Sequence, residues 1–160
     1  MKSITINCDL DVYDSFEDIP ADIKDLMEAA IEARDKAYAP YSKFHVGAAI
    51  LLDNNEVVTG SNQENASYPS GLCAERTAIY YAGSKYPKAN IKTLVISAKS
   101  LMHSMITPVP PCGACRQTIA EYEVKQDEPI EIYFMGASGK VVRSNSLKNL
   151  LPLAFDNTFL

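Results

Sequence analysis

Pro111-Cys112-Gly113-Ala114-Cys115-Arg116-Gln117 is the stretch from which the rest of the chain is best read. Two thiols at i and i+3 lie on one turn of a helix and face the same way, so they can share a metal ion. The positive end of the helix dipole favours their thiolate forms. Two sulfurs do not complete a zinc site. A third occurs in Gly71-Leu72-Cys73-Ala74-Glu75-Arg76, two residues before a carboxylate. Both stretches fall where a helix is expected to begin after a strand and a loop. Helices that cross one sheet start at one edge of it, where open α/β sheets place their ligands. Cys73, Cys112 and Cys115 are therefore the candidate metal ligands.

A structural zinc site is normally closed by four protein ligands, whereas a catalytic one keeps a position for water. Cys8 lies in an N-terminal arm, His45 in mid-strand and His103 in a loop, and none has a ligand-like spacing to the other cysteines. An open fourth position holding water is the natural inference. Glu75, one turn into its helix, is then the candidate catalytic group, a carboxylate that takes a proton from water and delivers it to a substrate nitrogen. Zinc(II) with three thiolates carries a formal charge of about −1, which weakens its power to acidify water. Arg76 and Arg116 adjoin the two motifs and are candidates for draining negative charge from the ligand sulfurs.

Periodicity supplies the scaffold. Ile23, Leu26, Met27, Ala30, Ile31 and Ala37 recur at helical spacing after Pro20, in a helix expected to end near Tyr38-Ala39-Pro40. Phe44–Leu52 is apolar on both alternating faces, as in a strand covered on both sides. Asp53–Glu56 reads as a hairpin turn and Val57–Gln63 as the returning strand. Glu64–Leu72 is a polar loop, and a helix follows from about Cys73 to Ser84 with Ala74, Thr77, Ala78 and Tyr81 inward. Ile91–Ala98 is a buried strand, Ser100–Pro111 a loop with three prolines, and Cys112 to about Val124 a helix. Ile130–Met135 and Lys140–Arg143 are strands, and Ser146 caps a short helix over Leu147–Leu151. Five strands alternating with helices predict an α/β fold, a three-layer α/β/α sandwich with one mixed five-stranded sheet. Residues 1–18, acidic with apolar residues in alternation, are an N-terminal extension, either a short strand or a loosely held arm, ahead of a domain spanning 19–160.

The 160 residues are 47% hydrophobic and 22% charged, ordinary for one globular domain. A formal charge of −5 disfavours a partner that is a nucleic-acid polymer, since affinity for its backbone comes mainly from Lys and Arg. No apolar run approaches a membrane span. The first residues lack the apolar core and cleavage site of a signal peptide, and the four cysteines are not spaced as a disulfide framework, so a reducing, cytoplasmic setting is expected.

Several further motifs occur: Tyr41-Ser42-Lys43-Phe44-His45-Val46-Gly47-Ala48-Ala49, Gly60-Ser61-Asn62-Gln63-Glu64-Asn65-Ala66-Ser67-Tyr68 and Leu150-Leu151-Pro152-Leu153-Ala154-Phe155. With the two cysteine motifs, over roughly residues 20–155, the chain resembles the cytidine deaminases of the small, all-cysteine, homotetrameric zinc type. The resemblance implies hydrolytic deamination of cytidine and deoxycytidine at C4 of the base in pyrimidine salvage, with one Zn(2+) per chain. Protons would pass through Glu75 to N3 and to the departing amine. It implies that Asn62 and Glu64 hydrogen-bond the ribose 3'-hydroxyl, that Phe44 walls the pyrimidine pocket, and that the Ala74 backbone meets the polar edge of the base. Phe155 matches an aromatic that reaches into a neighbouring subunit's site and stacks on the base, in a homotetramer whose sites are shared between subunits.

Overall fold

The computed structural model describes residues 1–160. Strand β1 (Asp11–Tyr13) is followed by helix α1 (Ala21–Asp35) and the hairpin β2 (Phe44–Leu52) and β3 (Val57–Ser61). Helix α2 (Ala74–Lys85), strand β4 (Ile91–Ser100), helix α3 (Gly113–Gln126), and strands β5 (Glu131–Met135) and β6 (Val141–Ser144) complete the regular elements. The sheet order is β1-β6-β5-β4-β2-β3, with β4 and β5 parallel and every other neighbouring pair antiparallel.

The alternation seen in the sequence now has two destinations. Ala48, Ile50, Leu94, Ile96, Ile132 and Phe134 pack under α2 and α3. Ala49, Val95, Tyr133 and Met135 point the other way, against Ile23, Leu26, Met27 and Ala30 of α1. This is the three-layer α/β/α arrangement, with helices on both faces of a mixed sheet. Gly47 shows how closely the layers meet: a Cβ there would lie 1.9 Å from the Ala30 carbonyl oxygen and 2.3 Å from Arg34 N. Only glycine lets α1 cross β2 so near.

Three expectations need correction. The sheet has six strands rather than five, because Asp11–Tyr13 pairs antiparallel with Val141–Arg143. Arg143 secures the pairing by bridging Asp11, at 2.9 Å, and Glu131. The rest of the alternating arm is not in the sheet; Ile4, for example, is 89% exposed. Second, α1 ends at Asp35, earlier than expected, and the segment beyond it turns to bridge Tyr38 to Gln63. Third, the inward face of α2 is Ala74, Glu75, Ala78, Ile79 and Ala82, while Tyr81 is 53% exposed. The helix is rotated so that a carboxylate, rather than a tyrosine, faces the interior. Ser146 does cap a short turn of 3-10 helix, Leu147–Asn149, accepting from Lys148 N.

The topology positions the site. β3 is antiparallel to β2, and β2 to β4, so β3 and β4 run the same way. Helix α2 crosses from β3 to β4 and α3 from β4 to the parallel β5, both over the same face. Their N-termini therefore emerge together at one edge of the sheet.

Candidate metal centre and active site

Cys73 and Cys112 occupy equivalent places, each the extended residue that precedes the first turn of its helix, at ψ 156° and 167°. Each carbonyl begins its helix's hydrogen bonding: Cys73 O accepts from Thr77 N at 3.0 Å and Cys112 O from Arg116 N at 2.9 Å. A Cβ at Gly60 would lie 2.6 Å from Ala74 O, so the first turn of α2 rests directly on β3. Cys115 follows one turn into α3 and is fully buried.

The three Sγ atoms all lie within 4.8 Å of one another. Cys73 and Cys112 are 3.8 Å apart, and Cys112 and Cys115 3.5 Å. Tetrahedral sulfurs about 2.3 Å from one zinc would be separated by about 3.8 Å. The donor set and its spacing thus fit one Zn(2+) per chain, with sulfur from three cysteines. The Cys115 thiol, and then Arg76, hold the pKa of Cys73 down at about 5, while Cys115 is pushed up by that same interaction and by burial.

Cys73 and Cys112 face a cavity of about 680 Å³ lined also by Phe44, Asn62, Glu64, Glu75 and Arg76. Glu75 is only 4% exposed. Burial, mainly, and the neighbouring Cys73 charge raise its carboxyl to about 6. Arg76 directs Nη2 at Cys73 Sγ, 3.9 Å away. Arg116 is differently placed: it donates from Nε to Pro111 O at 2.8 Å and from Nη1 to Leu150 O at 2.9 Å, tying the α3 entry to the C-terminal segment.

Asn62 clasps the start of β2, accepting from Val46 N at 2.8 Å and donating to Phe44 O at 2.9 Å. Glu64 Oε2 accepts from Tyr41 N at 2.9 Å and Ser42 N at 3.3 Å, and Oε1 accepts from the Ser42 hydroxyl. Ala74 lies buried at the start of α2 and is not among the residues that line the cavity. Phe155 is not brought to the cavity of its own chain. It is 59% exposed and stacks on Phe159 at 5.6 Å, with Gln117 donating to its carbonyl at 2.7 Å. Tyr41, Ser42, Tyr68, Val109 and Pro110 also line the cavity. The sequence carried them inside quoted motifs or a proline-rich loop, with no chemistry that singled them out.

The sequence model of the cytidine and deoxycytidylate deaminase zinc-binding region matches residues 20–127. The chain belongs to the cytidine deaminase family. It is 40% identical over 130 residues to the cytidine deaminase of Halalkalibacterium halodurans, covering 81% of this chain and 91% of that one. It is 39% identical over 134 residues to that of Sporosarcina psychrophila, covering 84% and 91%. The crystal structure of the cytidine deaminase from Burkholderia pseudomallei superposes with a TM-score of 0.71 at 38% identity, covering 82% of this chain and 97% of that one. All three cysteines and Glu75 lie inside the family's matched region, while β1 lies before it.

Proposed function

We propose that the protein hydrolyses cytidine and deoxycytidine to uridine or deoxyuridine and ammonia, a step of pyrimidine salvage in the cytoplasm. The observation that carries the reading is that one cavity is lined both by Glu75 and two sulfurs of the three-cysteine cluster and by Asn62 and Glu64. Cys73, Cys112 and Cys115 are assigned as ligands of zinc, which when bound supplies a Lewis acid and acidifies water to a usable nucleophile near neutral pH.

The other roles follow from the residues themselves. Glu75 is the proton carrier: it protonates N3 of the ring and then the exocyclic amine, which departs as ammonia as C4 becomes a carbonyl. Water contributes the oxygen, so the atoms balance. Asn62 has one amide N–H beyond the bond to Phe44 O, and Glu64 Oε1 has a lone pair beyond the Ser42 bond. A free donor beside a free acceptor suits a sugar hydroxyl, which is both. Phe44 is assigned to the wall of the pyrimidine pocket and the Ala74 backbone to the polar edge of the base. Arg76 is the single cationic side chain among the lining residues, and it is directed at sulfur. That supports a neutral nucleoside over its phosphate, and gives Arg76, rather than Arg116, the task of withdrawing charge from the ligands.

Catalysis is assigned to residues 19–160, with residues 1–18 an extension. The exposed Phe155, with exposed Tyr80 and Tyr81 on α2, supports a homotetramer in which Phe155 completes a neighbour's site. The decisive experiment follows the ultraviolet change on mixing the zinc-loaded protein with cytidine, deoxycytidine and free cytosine. Turnover of the nucleosides is expected, with loss in Glu75→Ala protein that still binds zinc. Silence on both nucleosides overturns the function, and full activity of Glu75→Ala overturns the proton-carrier role.

A further inference from the structure

Between the sugar-side carboxylate and the start of β2 lies the turn Tyr41–Phe44. Lys43 holds φ at 55°, a left-handed conformation that is costly for a residue bearing a side chain. Such a residue persists where its surroundings over-determine it: Lys43 N donates to Ala39 O at 3.2 Å, its carbonyl accepts from Leu101 N at 2.9 Å, and Ser42 ties the residues on either side. Its hydroxyl donates to Glu64 Oε1 and accepts from Phe44 N at 3.0 Å. The backbone N–H groups of Tyr41 and Ser42 fill the other carboxylate oxygen.

A serine hydroxyl has one proton to give, and it is spent on Glu64. A carboxylate has about four acceptor sites. Two on Oε2 and one on Oε1 are taken, so the remaining site is on the oxygen that Ser42 holds. The Ser42 bond is also the leading cause that keeps the Glu64 carboxyl below the ordinary carboxylate range, and so ionised as an acceptor.

We propose that Ser42 is a positioning residue that aims Glu64 Oε1 at the sugar 3'-hydroxyl. The proposal rests on the sugar-contact reading of Glu64 given above. A serine that merely stabilised the turn would affect every substrate alike. A serine that aims Glu64 affects only substrates with a hydroxyl for Glu64 to accept.

The test compares cytidine with 3'-deoxycytidine on the zinc-loaded enzyme. The unmodified enzyme is expected to favour cytidine in kcat/KM by at least about tenfold, the value of one hydrogen bond to a charged group. Ser42→Ala should raise KM for cytidine about tenfold with little change in kcat, and shift KM for 3'-deoxycytidine less than about twofold. Ser42→Thr, which keeps the hydroxyl, should restore the preference. Equal losses on both substrates, or none on either, overturn the proposal while leaving the Glu64 reading intact. An unmodified enzyme that treats the two nucleosides alike overturns the Glu64 reading, and the proposal with it. If Ser42→Ala does not fold, judged by its thermal melt, Ser42→Cys replaces it: a weaker donor of similar length should fall between alanine and serine, and a cysteine variant that keeps the full preference overturns the proposal.

Discussion

Arg76 shows how much one side chain can decide at this site. Its Nη2 points at Cys73 Sγ, and its Nε is buried with no partner. Hydrogen bonds to a ligand tune its donation, and their loss typically costs 10–100-fold in metal affinity. Arg76→Gln should therefore lower zinc affinity by about that factor in competition with a chromophoric chelator, with the fold unchanged by circular dichroism. Glu123 is buried too, but far from the chemistry. It accepts from Ile130 N at 2.8 Å, Leu147 N at 2.9 Å and Ser146 Oγ at 2.7 Å. Glu123→Ala strands three donors and should cost on the order of 3 kcal/mol in a urea titration. Both residues were visible in the sequence, but only Arg76 adjoined a motif. A glutamate on an amphipathic helix reads as solvated, and nothing local marks one whose three partners come from the next strand and beyond.

The elements themselves were largely legible, because burial on both faces writes long apolar runs into β2 and β4 and helical spacing into α1. The β1 segment was legible only as one of two alternatives, a short strand or a loose arm: the alternation runs from Ile4 to Val12, only Asp11–Tyr13 joins the sheet, and its partner lies about 130 residues away, so only the fold reveals the pairing. Tyr133 of β5 stacks on Tyr13 of β1 at 6.4 Å. Burial first, and then the Glu131 charge, push the Tyr133 phenol up to about 12. An unfolded tyrosine ionises near pH 10, so folding favours the neutral phenol. Its contribution is complete below about pH 10 and is lost as pH rises toward 12. Tyr133→Phe should flatten this alkaline limb in melts recorded across that range. At the α1–β2 crossing, Gly47→Ala would drive a methyl to within 1.9 Å of Ala30 O. A backbone clash of that size should destabilise by about 3 kcal/mol or more, read by denaturant.

For the whole molecule, the sequence predicted which residues meet but not how they are turned. Cys73, Cys112 and Cys115 converge because two crossovers begin at one sheet edge, a relation that strand and helix order contains. The rotation of α2 that buries Glu75 and exposes Tyr81 depends on tight packing at Gly60, which no spacing rule expresses. Assembly is the remaining level. Phe155→Ala should keep zinc and fold yet raise KM for cytidine about tenfold, the loss of one base-stacking contact. If Phe155 works in a neighbour's site, mixing Glu75→Ala chains with Phe155→Ala chains should regenerate sites that turn over cytidine with the unmodified KM, which neither shows alone. A fully active monomer in sedimentation would remove that role.

The separation of the sulfurs has a consequence for how the chain matures. Cys112 and Cys115 are one helical turn apart, but Cys73 is 39 residues from Cys112, with all of β4 between them. An unfolded chain can offer a metal two neighbouring thiols and no more. The third arrives only after β4 has docked between β2 and β5. Metal binding is thus coupled to tertiary folding, and zinc that binds the folded chain alone stabilises it by mass action. The full three-sulfur site therefore exists only in the folded sheet, and zinc held by all three cysteines reports that β4 is seated between β2 and β5.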